Sequence, residues 1–276
     1  MKSARAARGA TQSGAELKRR RRPRIVIRAT GGRDGVLGEG SDVNSFPVGG
    51  IAVVIGASGG IGGAIADALD ASGHFAEVVR LSRSSMPTLD ITSEASIAEA
   101  AAGLARIGGP LRLVFVATGF LHDREVSPEK SWGQIDPAHM QRSFSVNAIG
   151  PALLMKHLLP LLAADGKAVF ATLSAKVGSI GDNQLGGWYA YRASKAALNQ
   201  IVRTAAIELQ RRRPHAICVA LHPGTVATAL TGPFAKTGLD VQTPEAAAWQ
   251  LLHTIDRLEP AASGHFLDRS GQPIPW

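Results

Sequence analysis

Short apolar runs alternate with amphipathic segments along the chain from Phe46 onward. The apolar runs have the length and composition of buried parallel strands, and the amphipathic segments repeat every three to four residues, as helices do. The predicted strands are Ile51–Ile55, Glu77–Leu81, Leu111–Ala117, Ala168–Leu173, Ile217–Leu221 and Gly264–Leu267. The predicted helices are Ile61–Leu69, Ser93–Ala105, Asp136–Leu162, Trp188–Arg212 and Pro244–Leu258. This alternation predicts an α/β fold, a single doubly wound domain with a parallel sheet flanked by helices on both faces.

Residues 1–46 show no such pattern. They hold eleven of the 30 Lys and Arg residues but only four of the 22 Asp and Glu residues. Because a segment of this kind has little apolar surface to offset the entropy cost of ordering, we predict a disordered tail over residues 1–46 and a folded domain over residues 47–276. The composition leaves three roles for the tail open: an extended start of the reading frame, a targeting segment or an arm that binds polyanions.

The net charge of +8 belongs almost wholly to that tail, so the folded part is nearly neutral. A nearly neutral domain does not predict nucleic-acid binding. The chain has no apolar run of membrane-spanning length and no apolar segment of a secretory signal, which predicts a cytoplasmic protein. Its one cysteine, Cys218, lies in an apolar run and is predicted to be buried. The histidines show no metal-ligand spacing, so no metal site is predicted.

Two residues with complementary proton chemistry lie in the sequence Tyr191-Arg192-Ala193-Ser194-Lys195. A spacing of four places Tyr191 and Lys195 on one face of the predicted helix. A lysine ammonium beside a phenol favours the phenolate, so we expect Lys195 to lower the pKa of Tyr191. A tyrosine with such a pKa can exchange a proton with an alcohol or a carbonyl near neutral pH.

Glycines follow the first predicted strand in the sequence Gly56-Ala57-Ser58-Gly59-Gly60-Ile61-Gly62. Glycine permits a tight turn there and lets backbone N–H groups approach a phosphate at the start of the next helix. This position, between a buried strand and an amphipathic helix, predicts a site for the pyrophosphate of a dinucleotide. A hydride carrier bound beside a proton-donating tyrosine indicates redox chemistry on a carbonyl or an alcohol.

The second predicted strand ends at Ser82 and Arg83, where dinucleotide-binding folds often carry an acidic residue for the ribose 2′-hydroxyl. A serine and an arginine instead suit a 2′-phosphate, which predicts NADP(H). Asp90, further along the chain, could accept a hydrogen bond from an adenine amino group or could cap the following helix. Ser93 or Thr92 is the predicted N-cap of that helix.

Three further polar residues are candidates for the same site. Ser174 ends a predicted strand on the side where ligands collect in open α/β sheets, and its hydroxyl could orient a substrate oxygen. Ser179, in the same loop, is the alternative. Asn147 lies among apolar residues of a predicted helix, and because a buried amide needs partners, we expect it to hold a water or a backbone carbonyl near Lys195.

From about Ile51 to the C-terminus, the chain resembles the short-chain dehydrogenase/reductase family. The glycine motif and the Tyr191–Lys195 spacing are similar to the family's cofactor motif and catalytic signature, and Gly119 matches the end of its Asn-Asn-Ala-Gly run. Within the family, the segments Ser174–Tyr189 and Gly271–Trp276 resemble the C-factor-like branch. The residues that the resemblance implies as the catalytic tetrad are Asn147, Ser174, Tyr191 and Lys195.

The resemblance implies a Rossmann-type oxidoreductase that uses NADP(H) to transfer a hydride between the nicotinamide and a carbonyl or a secondary alcohol. Tyr191 would be the general acid or base. Lys195 would lower its pKa and bind the nicotinamide ribose, and a proton relay would pass through Asn147. The residues implied in cofactor binding are Gly56, Ser58, Gly60, Ile61, Gly62, Ser82, Arg83, Asp90, Ile91, Gly119, Lys195, Pro223, Gly224, Val226 and Thr228.

The substrate is predicted only as a small carbonyl or alcohol. The loop Thr228–Leu239 is partly apolar, through Leu230, Pro233 and Phe234, and is predicted to contact it. The resemblance implies a homodimer or homotetramer, and the composition predicts neither a membrane nor a nucleic acid as partner. The resemblance also leaves a second class open, a C-factor-like signalling or scaffold protein that binds the dinucleotide but does little catalysis.

Overall fold

Six parallel strands form the central sheet of the computed structural model, which describes residues 43–232 and 240–276. These strands are β1 (Ile51–Ile55), β2 (Glu77–Leu81), β3 (Leu111–Val116), β4 (Ala168–Leu173), β5 (Ala216–His222) and β8 (Phe266–Asp268). Their spatial order is β2-β1-β3-β4-β5-β8. A separate parallel pair consists of β6 (Thr225–Val226) and β7 (Val241–Gln242). The sequence pattern misses this pair, because strands of two residues show no period.

The α-helices of the described residues cover both faces of the sheet. They are α1 (Gly60–Ser72), α2 (Glu94–Ile107), α3 (Pro137–Phe144), α4 (Gly150–Leu158), α5 (Tyr189–Arg212) and α6 (Pro244–Arg257). Helices α1 and α6 pack on the face that carries Ala52 and Val54 of β1. Helices α2, α4 and α5 pack on the face that carries Val53 and Ile55. The predicted doubly wound architecture is therefore confirmed.

The long helix predicted over Asp136–Leu162 is divided in the structure. Helix α3 ends at Phe144, a π-helical turn spans Ser145–Ile149, and after α4 a 3-10 turn spans Leu159–Leu161. Pro151 and Pro160, which the sequence predicts to lie near bends or ends, are at the start of α4 and in the 3-10 turn, whereas the apolar period does not show the π turn. A π turn widens the helix locally and is frequent at functional sites. Here it carries Asn147.

The packed domain begins earlier than the sequence predicts. Val43 and Phe46 are buried in the core beside α1 and α6. The Phe46 ring packs edge-on against the ring of Phe75, and Phe46 O lies 2.8 Å from His74 Nε2. Two isolated apolar residues show no readable period, so the predicted boundary before residue 47 falls inside the packed region. The rest of the predicted tail, residues 1–42, lies outside the described residues and stays a prediction.

Smaller sequence predictions are checked by the same structure. Ser93 is the N-cap of α2, where its Oγ accepts a hydrogen bond from Ser96 N at 3.3 Å. Cys218 is a free, fully buried thiol on β5, as predicted. In the part of the chain that is described, no helix has both the length and the apolar character needed to cross a bilayer.

The strand order locates the predicted ligand crevice. In open α/β sheets, ligands bind outside the carboxyl ends of the strands at the point where the strand order reverses. Strand β1 has β2 on one side and β3 on the other, so the reversal lies between β1 and β3. The loops that follow these two strands therefore flank the candidate site.

Candidate active site

The loop after β1 is a tight glycine turn. Gly56 has a φ of 86°, a left-handed backbone that glycine adopts without strain. A Cβ on Gly62 would lie 2.3 Å from Gly56 O, and a Cβ on Gly56 would lie 3.0 Å from the backbone of Ala117, just after β3. Glycine at these positions lets α1 start close to both strands.

A cradle for an anion lies at the start of α1. Ser58, Gly59 and Gly60 are exposed, and the N-cap Gly59 offers no side chain to the first N–H groups of the helix. Such N–H groups have no partner inside the helix and attract phosphate. A Cβ on Gly60 would lie 3.0 Å from Thr228 Cγ2, so glycine also keeps this opening clear. The donors therefore fit the pyrophosphate of a dinucleotide.

The end of β2 forms a turn beside this cradle. Ser82 N donates to Ser85 Oγ at 2.8 Å, and Ser85 Oγ donates to Ser82 O at 2.9 Å. Arg83 is exposed at the tip of the turn. Gly56 N donates to Leu81 O at 2.8 Å, so the serine turn and the glycine turn are direct neighbours. Ser82 and Arg83, for which the sequence predicts contact with a ribose 2′-substituent, thus lie beside the glycine turn.

Asp90 is exposed and does not cap α2. Its Oδ1 accepts hydrogen bonds from Thr92 N at 2.9 Å and Thr92 Oγ1 at 2.7 Å. These bonds, together with the charge of Arg83, hold the pKa of the Asp90 carboxyl below its usual range. The capping role that the sequence left open is wrong, since Ser93 caps the helix. Ile91, the next residue, is buried in the core.

The end of β3 brings several candidate residues together. A Cβ on Gly119 would lie 3.8 Å from Asn147 Oδ1, 3.9 Å from Lys195 Nζ and 3.9 Å from Leu230 Cδ2. Gly119 itself is exposed. Residues from three distant parts of the chain therefore border one opening next to the glycine turn.

Asn147 is fully buried and hydrogen-bonded through both polar atoms. Its Oδ1 accepts from Phe120 N at 2.7 Å, and its Nδ2 donates to Phe120 O at 2.8 Å and to Ser194 Oγ at 3.0 Å. Ser194 Oγ donates in turn to Tyr191 O at 2.9 Å. Asn147 therefore binds a backbone carbonyl, one of its two expected partners, and joins the loop after β3 to α5. Ser194 is a residue that sequence reasoning missed, although it lies within the Tyr191–Lys195 motif.

Tyr191 and Lys195 are buried together at the start of α5. Lys195 Nζ lies 5.8 Å from the centroid of the Tyr191 ring and donates to Leu173 O, at the end of β4, at 2.8 Å. Burial lowers the pKa of Lys195 to about 7 and raises the pKa of Tyr191 above its ordinary value. The expectation of a lowered Tyr191 pKa is therefore wrong for this structure. Desolvation, which disfavours the charged form of each group, outweighs their attraction.

The lowered pKa of Lys195 predicts how stability changes with pH. Between about pH 7 and pH 10.5, the unfolded chain keeps a Lys195 proton that the folded chain has released, so raising the pH favours folding. Lys195→Met removes this contribution and keeps most of the side-chain volume. We expect the free energy of unfolding, measured with urea, to rise more steeply with pH in the wild type than in Lys195→Met. Parallel curves would show that burial does not depress the pKa of Lys195.

The structure gives the two candidate serines different surroundings. Ser179 Oγ donates to Pro275 O at 2.5 Å and so fastens the C-terminal residues to the loop after β4. Ser174 is buried at the end of β4, where its Oγ donates to Asn199 Oδ1 on α5 at 2.7 Å. Ser174 directly follows Leu173, the partner of Lys195, whereas Ser179 holds the C-terminus.

The segment after β5 borders the opening from another side. Gln242 Nε2 donates to Pro223 O at 2.5 Å, and Gly224 has a φ of 80°. Val226 is buried and pairs with Gln242 in the β6–β7 pair. Thr228 lies against the glycine turn. The segment predicted to contact the nicotinamide end is therefore next to the start of α1.

The predicted substrate loop is described only in part. Residues 233–239, which include Pro233 and Phe234, are not among the residues that the structure describes. In the described part, Leu230 lies beside Gly119, and Leu230 O is 3.1 Å from His122 Nε2. An apolar side chain of this loop thus borders the opening.

The fold and the site define a dinucleotide-binding α/β protein with a buried tyrosine and lysine beside its cofactor crevice. Within the described residues, no group of three or more His, Cys, Asp or Glu side chains is arranged to hold a metal ion. Residues 56–262 match the family model described as Enoyl-(Acyl carrier protein) reductase. The chain belongs to the short-chain dehydrogenase/reductase family and is an oxidoreductase of that type, as its motifs indicate.

Individual relatives agree with this assignment. The chain is 36% identical over 190 residues to 1-hydroxy-2-glutathionyl-2-methyl-3-butene dehydrogenase of Rhodococcus sp. (strain AD45). The alignment covers 69% of this chain and 79% of that protein. The chain is 39% identical over 145 residues to C-signal of Myxococcus xanthus. This alignment covers 52% of this chain and 82% of that protein. The structure of NADPH-bound carbonyl reductase from chicken fatty liver matches with a TM-score of 0.74 and 26% identity, over 86% of this chain and 98% of that one.

Proposed function

We propose that the protein is an NADP(H)-dependent oxidoreductase that transfers a hydride between the nicotinamide and a small carbonyl compound or secondary alcohol. The observation that carries the proposal is the burial of Tyr191 and Lys195, with Lys195 Nζ beside Gly119 at the edge of the sheet where α1 offers a phosphate cradle. The similarity to an NADPH-bound carbonyl reductase supports both the cofactor and the substrate class.

The cofactor would be held by the loops at the carboxyl ends of the strands. The first N–H groups of α1, with Ser58 beside them, would bind the pyrophosphate, and Arg83 would pair with a 2′-phosphate. Asp90 would accept from the adenine amino group and Lys195 would bind the nicotinamide ribose. The segment 223–228 would contact the nicotinamide end. When bound, the cofactor supplies or accepts the hydride.

Tyr191 would donate a proton to the carbonyl oxygen during reduction and take one from the alcohol during oxidation. Because burial raises the pKa of Tyr191, its hydroxyl keeps its proton at neutral pH and has it available for reduction, while the same shift makes the phenol a weaker acid. Lys195 gives one N–H to Leu173 O, which leaves further donors for a cofactor hydroxyl. Asn147 Oδ1 keeps one lone pair for a water, through which a proton could pass from Lys195 toward solvent.

Ser174 would orient the substrate oxygen, and the orientation of the Asn199 amide decides whether its hydroxyl can donate. As the amide stands, Ser174 Oγ gives its proton to Asn199 Oδ1, and Asn199 Nδ2 is buried with no hydrogen-bond partner among the described residues. Turning the amide over exchanges its oxygen and nitrogen. Nδ2 would then donate to Ser174 Oγ and leave the Ser174 proton free for a carbonyl oxygen. The unpaired buried N–H supports this second orientation, because such a donor is destabilising.

Loss of the Ser174 hydroxyl should weaken catalysis. We expect Ser174→Ala to lower kcat/KM about a hundredfold, the effect of removing one donor to an oxygen on which charge develops. Ser179→Ala is the matched control, because it removes a hydroxyl from the same loop that binds the C-terminal residues instead. We expect its kcat/KM to stay near the wild-type value. Equal losses in both variants would show that the order of the loop, and not the Ser174 hydroxyl, limits the rate.

The proposed activity is tested by the rate of NADPH oxidation with a panel of benzaldehyde, nitrobenzaldehyde, hexanal, cyclohexanone and acetophenone. We expect turnover of at least one of these carbonyl compounds. The second candidate function is a signalling or scaffold protein that binds the dinucleotide with little catalysis, which the similarity to C-signal favours. Binding of NADPH without turnover of any compound in the panel would favour that second function.

A homodimer or homotetramer and a cytoplasmic location remain predictions. Ile149 and Ile207 have partly exposed apolar side chains, one directly before α4 and the other on α5, and a second copy of the chain could cover them. Light scattering of the purified chain should then give a mass of about two or four times 28.8 kDa.

A further inference from the structure

Glu129 is buried against the start of α5, although it belongs to the loop between β3 and α3. The residue is only 2% exposed. Both of its carboxylate oxygens lie 3.3 Å from Ala190 N, and its backbone carbonyl accepts from Trp188 N at 2.5 Å. Glu129 therefore holds the chain immediately before Tyr191 through its side chain and its backbone.

The start of α5 needs such support. Trp188, the residue before the helix, has a φ of 52°, and no other non-glycine residue in the described part of the chain has a positive φ. A bulky side chain is strained in this region. The indole also has no oxygen with which to accept a bond from the first N–H groups of the helix. The Glu129 carboxylate supplies that acceptor, and its charge suits the positive end of a 24-residue helix.

A second buried side chain holds the carboxylate in place. His139 Nδ1, on α3, lies 3.1 Å from Glu129 Oε1. The His139 ring packs edge-on against the ring of Phe120, with a centroid distance of 6.0 Å. Phe120 is the residue whose backbone N–H and C=O both bind Asn147. One connected set of contacts thus runs from Glu129 through α3 and the loop after β3 to Asn147.

These contacts hold Tyr191 from both sides. Glu129 accepts the N–H of Ala190, directly before the tyrosine, and Ser194, bound to Asn147, donates to Tyr191 O. A buried contact between a glutamate and a histidine is weak evidence for stability, because apolar residues of similar volume often stabilise a fold as well. Displacement of a reacting group by about 1 Å, in contrast, can lower a rate roughly a hundredfold. The arrangement is therefore better explained by the placement of a reacting group than by stability.

We infer that Glu129 is a positioning residue for Tyr191. Its carboxylate, oriented by His139, fixes the first turn of α5 and thereby the place of the tyrosine hydroxyl relative to the substrate oxygen. This inference rests on the proposed role of Tyr191 as the proton donor. A positioning role affects kcat, whereas a purely structural role would change stability and cofactor binding without a specific loss of kcat.

The first test compares substitutions of two glutamates in the same loop. Glu129→Ala removes both oxygens that face Ala190 N, and Glu129→Gln keeps the shape and one oxygen. With NADPH and the best carbonyl compound of the panel, we expect kcat to fall roughly tenfold to a hundredfold in Glu129→Ala and by less in Glu129→Gln, with KM for NADPH unchanged. Glu125→Ala, which alters an exposed glutamate of the loop, should keep the wild-type kcat. A wild-type kcat in Glu129→Ala would overturn the inference.

A double variant separates positioning from stability. In Tyr191→Phe no proton donor remains to be positioned, so adding Glu129→Ala should cause no further loss of rate, measured in single turnovers at high enzyme concentration. Losses that multiply would overturn the inference. If Glu129→Ala does not fold, Glu129→Gln takes its place in the same comparison. A wild-type rate in Tyr191→Phe alone would contradict the proposed function instead.

Discussion

Tyr191→Phe is expected to lower kcat for carbonyl reduction by about a hundredfold or more, with the fold and the affinity for NADPH unchanged. The substitution removes only the hydroxyl, and a positioned general acid contributes roughly 10²–10⁴-fold to a rate. The aromatic ring stays to fill the space beside Trp188, against which it packs edge-on at 6.2 Å. The measurements are the steady-state rate of NADPH oxidation and a fluorescence titration with NADPH.

Tyr189→Phe is the matched control for this experiment. Tyr189 is the only other tyrosine of the chain and lies in the same first turn of α5, but no lysine follows it at the fourth position. We expect Tyr189→Phe to keep the wild-type kcat. Nearly full activity of Tyr191→Phe would contradict the assignment, and a large loss confined to Tyr189→Phe would move the proton donor to Tyr189.

NADPH is expected to bind roughly ten to a hundred times more tightly than NADH. Arg83 is exposed at the end of β2, and its pairing with a 2′-phosphate would contribute about 1.5–3 kcal/mol. Each 1.4 kcal/mol is about tenfold in affinity. Ser82→Asp combined with Arg83→Ala should remove or invert the preference, because a carboxylate repels the phosphate and accepts a bond from a 2′-hydroxyl. Titration of the wild type and of this double variant with both dinucleotides measures the preference.

Arg106→Ala is the control for the loss of a surface arginine. Arg106 lies in the last turn of α2, which leads into the amino end of β3 and so ends at the edge of the sheet opposite the crevice. We expect this variant to keep the wild-type preference. Equal dissociation constants for NADPH and NADH in the unmodified protein would remove the NADP assignment and leave the role of Tyr191 standing.

The elements that frame the site can be predicted because local patterns determine them. Strands β1 and β4 are buried at every position, and all of their residues except Thr172 are apolar. The glycine turn is equally local, since Gly62 must be glycine because of its contact with Gly56, six residues earlier. Helical spacing alone places Tyr191 and Lys195 on one face of α5.

The sequence predicts that Asn147 binds a backbone carbonyl or a water, but not which residues complete the site, because these contacts join distant parts of the chain. Asn147 binds Phe120 across 27 positions, Ser174 binds Asn199 across 25, and Glu129 reaches Ala190 across 61. A periodic pattern of apolar and polar residues does not indicate which distant residues are in contact.

The direction of the Tyr191 pKa shift could not be predicted from the sequence either. The spacing of Tyr191 and Lys195 shows that they are close but not how deeply both are buried, and burial decides the direction.

The most direct test of the account follows the transferred hydride itself. NADPH that carries deuterium at its transferable position is incubated with the protein and the best carbonyl compound of the panel, and the product is analysed by mass spectrometry. The account predicts an alcohol with one deuterium on the former carbonyl carbon, formed much more slowly by Tyr191→Phe. Tight binding of NADPH with no labelled alcohol from any compound of the panel would contradict it.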